Sequence, residues 1–143
     1  MSKILVDTSV WSVAFRRNKP DKREAQIADE LIALVREYRV AIIGPIRQEL
    51  LSGISNSAVF DDLKNRMSIF VDYTIQTEDY ERAAEYSNVC RRNGVQGSHT
   101  DFLICAVAVK NGWKIFTEDD DFRSYQKYLP IELYSIAPSA FSN

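Results

Sequence analysis

The chain has 143 residues, 45% of them hydrophobic and 27% charged, with a formal net charge of −2 at pH 7. That length suits one domain with a core of its own, and the composition argues against a disordered chain. The near-neutral charge argues against holding nucleic acid by bulk attraction alone, though it allows a local basic patch.

The first apolar run, Ile4-Leu5-Val6, is ended by Asp7 and predicts a strand. Residues 21–38 predict a helix, because Ile27, Ala28, Leu31, Leu34 and Val35 share one face at helical spacing. Val40-Ala41-Ile42-Ile43 predicts a buried strand stopped by Gly44-Pro45. Pro45 suits the first residue of a helix that carries Ile46, Glu49 and Leu50. Residues 57–66 predict another helix, and the weak alternation over 68–73 a strand. A long amphipathic helix is expected over 78–93, ending at Gly94. Ser98 opens the next helix, which is apolar all round over 102–109 and should therefore be central; Asn111-Gly112 closes it. Lys114-Ile115-Phe116 predicts a strand, 119–128 a helix, and Ile131-Glu132-Leu133-Tyr134 a last short strand.

This alternation predicts an α/β fold, one domain over residues 1–143, with a mostly parallel central sheet flanked by helices. The apolar run 103–109 is far below the roughly 20 residues needed to span a bilayer, and the N-terminus has no signal-peptide pattern. Cys90 and Cys105 lack metal-binding spacing and predict buried, reduced thiols. A cytoplasmic protein is expected.

The informative feature is the placement of the acids. In parallel α/β sheets, ligands bind beyond the C-terminal ends of the strands. Asp7 ends the first predicted strand, Glu49 lies one turn into the helix after the second, Asp101 sits in the first turn of the buried helix, and Asp119 and Asp121 follow the strand 114–116. Carboxylates brought to one rim repel each other unless neutralised, and a divalent cation is the usual solution. An all-oxygen set with one histidine in the chain favours Mg²⁺ or Mn²⁺ over Zn²⁺. Such an ion suits hydrolysis at a phosphoryl group. Each acid also has a structural alternative: Asp7 a turn start, Glu49 an exposed helix position, Asp101 a capping box with Ser98, and the run 118–121 a helix start favoured by the dipole. Other chemistries lack their residues. His99 is the sole histidine, which leaves a serine triad poorly supported and excludes a paired-histidine nuclease; there is no P-loop, GxGxxG, HExxH or CxxC.

Four stretches resemble a known family. Asp7-Thr8-Ser9-Val10-Trp11 after an apolar strand is similar to the opening of PIN domains, especially VapC-type toxins. Glu49-Leu50-Leu51-Ser52-Gly53, Asp101-Phe102-Leu103-Ile104-Cys105-Ala106 and Thr117-Glu118-Asp119-Asp120-Asp121-Phe122 resemble the family's later motifs, in its order and spacing. The resemblance implies a Mg²⁺- or Mn²⁺-dependent endoribonuclease, the toxin of a type II toxin–antitoxin pair. Asp7, Glu49, Asp101 and Asp119 would be catalytic, and Asp7, Asp101, Asp119 and Asp121 the metal ligands, supported by the hydroxyls of Thr8 and Thr117. It also implies a homodimer, an RNA substrate and a cognate, VapB-like antitoxin that blocks the site.

The basic stretch 16–23 holds five cationic residues and one acid close to Asp7, so Arg16 and Arg17 are candidate contacts for the RNA backbone. Trp11, Phe15 and Tyr38 could stack on bases or belong to the core. The alternative functions are a PIN-fold binding module acting mainly through a DNA-binding partner, and a DNA-repair or replication nuclease, for which 143 residues leave little room to grip a duplex.

Overall fold

The structure, a computed structural model, describes residues 2–16 and 19–136. Three short strands, β1 (Ile4–Val6), β2 (Val40–Ala41) and β3 (Lys114–Phe116), form a parallel sheet in the order β2-β1-β3. Seven helices complete the described residues: α1 (Thr8–Ala14), α2 (Lys22–Arg36), α3 (Gly44–Leu51), α4 (Ser57–Met67), α5 (Thr77–Arg92), α6 (His99–Asn111) and α7 (Asp121–Gln126). β1 is apolar at every position and buried at every position, as a strand paired on both edges and covered on both faces requires.

α6 runs through the core. Phe102 to Ala108 are all buried, so the helix shows no polar face along this stretch. α5 packs along it with Ala83, Tyr86 and Cys90 buried. α6 ends where Gly112 adopts φ 69°, a left-handed cap that L side chains resist. α2 starts on a full capping box: the Asp21 carboxylate accepts from the Glu24 amide at 2.8 Å, and the Glu24 carboxylate accepts from the Asp21 amide at 3.3 Å. Cys90 and Cys105 are buried free thiols.

Four details depart from the sequence reading. It assigns no element to residues 8–14, which form α1. The helix is short and rich in β-branched residues, so propensity does not carry it. Tertiary packing does: Val10 and Trp11 are buried, Trp11 Nε1 donates to the Val6 carbonyl at 3.1 Å, and its ring meets Phe70 edge-on at 5.1 Å.

The strand expected over 68–73 shrinks to one bridge, Ile43 to Tyr73. Arg47 explains this, since its guanidinium donates to the Met67 carbonyl at 2.8 Å and the Phe70 carbonyl at 2.7 Å and pairs with Asp72. The strand expected over 131–134 is likewise one bridge, Ile115 to Leu133, against a β3 of only three residues. The last helix begins at Asp121 rather than 119, because the Asp119 carboxylate accepts from the Asp121 amide at 2.9 Å and shapes a turn instead.

Of the three aromatics considered for stacking, Trp11 is core and Phe15 is half-buried against it, while Tyr38 is 91% exposed. Tyr38 precedes β2, at the end of the sheet opposite Asp7. Among the described residues, no helix is long and apolar enough to cross a membrane.

Candidate active site

Strand register brings the first acid to the last strand. Val6 pairs with Phe116, and the Asp7 amide donates to the Phe116 carbonyl at 2.9 Å, so Asp7 and Thr117 emerge side by side at the C-terminal ends of β1 and β3. Asp7 is 5% exposed. Its Oδ2 accepts from Ser9 Oγ and from Thr117 Oγ1, both at 2.8 Å. Each hydroxyl also accepts an amide proton from the loop after β3: Ser9 from Glu118 and Thr117 from Asp119, both at 3.0 Å. A hydroxyl has one proton, and both protons go to Asp7, so the arrangement suits an ionised carboxylate. Burial pushes the Asp7 carboxyl up, and the Ser9 and Thr117 hydroxyls oppose that.

Asp101 arrives from the first turn of α6. Ser98 caps the helix by accepting from the Asp101 amide at 3.0 Å. Among the described residues the reciprocal half of a capping box is absent. The Asp101 carboxylate turns elsewhere, with Oδ2 accepting from the Tyr125 hydroxyl at 2.6 Å. Burial, with the charges of Asp7 and Asp119 adding to it, pushes Asp101 up to about 6, against the pull of Tyr125. Burial and its bond to Asp101 push the Tyr125 phenol far upward, so it remains a donor.

Asp101 and Asp119 are half-buried and Asp121 is exposed. Each can offer one oxygen such that all three lie within 4.8 Å of one another, and this is the sole such group of acids, histidines or cysteines among the described residues. Asp7 and Glu49 fall outside that group of three. Asp7 stands behind it, linked through Thr117 to the Asp119 amide and acting on Asp101 by charge. Glu49 is exposed on α3, and its Oε1 accepts from Thr8 Oγ1 at 2.7 Å. Among the described residues no lysine, arginine or histidine is in ion-pair reach of Asp7, Glu49, Asp101, Asp119 or Asp121. An oxygen-only donor set with uncompensated charge fits a hard divalent cation.

The basic candidates are placed differently. Arg16 is paired with Glu24 at 2.5 Å on the exposed surface, and such a pair contributes little stability. Arg17 lies outside the described residues. Arg23 pairs with Glu118 at 2.8 Å, next to Asp119. A groove of about 670 Å³ opens there, with Arg23, Arg123 and Lys127 on its walls beside Thr117 and Asp119. His99 is exposed and lines a separate groove against α5 with Tyr80 and Arg91.

Three participants escape the sequence reading. Ser9 has a signal, since a hydroxyl two residues after a buried acid can bond back to it. Tyr125, which bonds Asp101, and Gly97, which gives the Tyr125 ring its room, have none, because both contacts are purely tertiary.

A family model of the PIN domain matches residues 4–128. Ribonuclease VapC11 of Mycobacterium tuberculosis is 33% identical over 126 residues, spanning 83% of this chain and 88% of that protein. A VapC ribonuclease of Mycobacterium bovis matches to the same extent. Among solved structures, FitAcB from Neisseria gonorrhoeae has a similar fold, with a TM-score of 0.73 at 19% identity, over 92% of this chain and 96% of that one. VapBC2 from Rickettsia felis, bound to a DNA fragment from its promoter, gives a TM-score of 0.69 at 14% identity over 92% and 96%. With the family model over most of its length and curated relatives above 30% identity, this chain belongs to the PIN-domain family of VapC ribonucleases.

Proposed function

We propose that this chain is a cytoplasmic toxin of a type II toxin–antitoxin pair, an endoribonuclease that cleaves RNA phosphodiester bonds with Mg²⁺ or Mn²⁺. The observation that carries the reading is the meeting of Asp101, Asp119 and Asp121, with no basic side chain among the described residues to neutralise them. In this reading Asp7, Asp101, Asp119 and Asp121 hold the cation, and Glu49 completes the acidic set. A divalent cation bound there supplies Lewis acidity toward a phosphate oxygen and a nucleophile at neutral pH. Ser9 and Thr117 keep Asp7 an acceptor, and Thr8 orients Glu49. Arg16 and Arg17 hold flanking phosphates without reading bases, and Arg123 and Lys127 extend the same role along the groove beside Asp119. Residues 1–143 act as one PIN unit, paired as a homodimer and blocked by a cognate, VapB-like antitoxin.

A second reading is a binding module that acts mainly through a DNA-binding partner. The likeness to VapBC2 bound to promoter DNA favours keeping it. One experiment separates the two. Purified protein should cleave single-stranded RNA with Mg²⁺ or Mn²⁺ and stop when EDTA is added. Failure with both ions, in protein that still binds its antitoxin, would favour the binding module.

A further inference from the structure

Asp101 reaches the acidic cluster with one oxygen already held. The Tyr125 hydroxyl donates to its Oδ2 at 2.6 Å, from the last turn of α7. Tyr125 has no accessible surface, and its ring sits between Phe102, 5.0 Å away, and Phe122, 5.2 Å away, measured between ring centres. Packing therefore pins the ring and makes the hydroxyl a fixed point. On its other side the chain passes at Gly97. A Cβ there would stand 2.2 Å from the hydroxyl oxygen and 2.7 Å from the ring carbon Cζ. Gly97 is not among the glycines with positive φ, so glycine is needed here for room and not for backbone conformation.

We propose that Gly97 and Tyr125 form a positioning device for Asp101. The glycine lets the ring close against the backbone, and the hydroxyl holds Oδ2. Oδ1 is left to a divalent cation, so that Asp101 is a one-oxygen ligand of set orientation. Without the hydroxyl, the broad terminal torsion of an aspartate would let the carboxylate turn. Tyr125 is a positioning residue and touches no reacting atom. The inference rests on the metal-dependent reading above.

The test is Mn²⁺ affinity, measured by spin resonance of the unbound ion, on wild type, Tyr125→Phe, Gly97→Ala and Tyr73→Phe. Tyr125→Phe removes one oxygen atom and should keep its fold while binding Mn²⁺ about 10- to 100-fold more weakly, the usual cost of losing a group that orients a ligand. Gly97→Ala should shift affinity in the same direction. Tyr73→Phe deletes a hydroxyl that donates to Asp79 at 3.3 Å, and it should bind Mn²⁺ as wild type does. Wild-type affinity in Tyr125→Phe would overturn the inference alone. Equal weakening in Tyr73→Phe, or loss of fold in Tyr125→Phe, would also overturn it, because the hydroxyl would then serve general stability. A wild-type protein that binds no Mn²⁺ would overturn the metal reading and this inference with it.

Discussion

Two aspartates are almost wholly removed from solvent, Asp7 at 5% exposure and Asp79 at 1%, and the fold treats them in opposite ways. Asp79 lies in the first turn of α5. Its Oδ2 accepts from the Gln76 amide at 2.8 Å and the Tyr73 hydroxyl at 3.3 Å, and its Oδ1 lies 3.4 Å from the Lys110 ammonium. The charge is capped and neutralised from within. Asp7 has two hydroxyls and no cation in reach among the described residues, and beyond it stand more carboxylates. A buried charge left unpaired is costly, so it persists where something outside the chain completes it. The contrast marks Asp79 as a part of the scaffold and Asp7 with its neighbours as the candidate site.

The largest expected effect tests that division directly. Asp119→Asn should lower the rate of RNA cleavage by roughly 10²-fold or more, given the several kcal/mol a metal supplies to the transition state, with the melting temperature unchanged or raised. Asp79→Asn should do the reverse, costing about 1–3 kcal/mol of stability as its bonding network is weakened while the rate per folded molecule holds. Denaturant titration beside a cleavage assay reads both. If the effects exchange places, the division is wrong.

A smaller effect sharpens the account of Asp7. Thr117→Ala removes one of its two hydroxyl donors and the acceptor for the Asp119 amide. The rate should fall about 10- to 100-fold, as for other groups that orient ligands. Ser9→Ala should act in the same direction, and an effect confined to Thr117 would show that the Asp119 turn matters more than Asp7.

The smallest effect concerns pH. Asp101 is pushed from 3.8 up to about 6 in the folded protein, so the fold holds its proton more tightly than the unfolded chain does. Its stabilising contribution is full below the unfolded value and is lost as pH rises through the folded one. In EDTA, wild type should therefore lose a few degrees of melting temperature relative to Asp101→Asn across that interval. Added Mg²⁺ near neutral pH should restore wild type by mass action and do less for the variant. Parallel melting curves across the interval would remove Asp101 from the cluster's electrostatics.

Much of this was legible in the residues. The Ile4-Leu5-Val6 run, the apolar stretch from Phe102 and the Gly112 stop mark their elements because burial and capping act locally. The four acidic segments could be assigned to one rim because parallel strands all point their C-terminal ends the same way. Less visible was α1, whose residues favour helix only once Trp11 has a core to enter. The edge bridge at Tyr73 reads as a strand because alternation does not show that Arg47 takes the neighbouring carbonyls, and the one at Leu133 because the run does not show that β3 is only three residues long.

The sequence by itself determined which residues could carry the chemistry, since carboxylates, hydroxyls and their spacing from strand ends are properties of the chain. Tertiary structure alone decided how they meet. It set Asp101 with Asp119 and Asp121 and left the buried Asp7 outside that group of three. It brought Ser9 and Thr117 together across a sequence offset of 108. It placed the Tyr125 hydroxyl where only a glycine can pass. The physical reason is range. Propensity and capping act over a few residues, whereas hydrogen bonds and charge repulsion act over a few ångströms, and only the folded chain turns one kind of distance into the other.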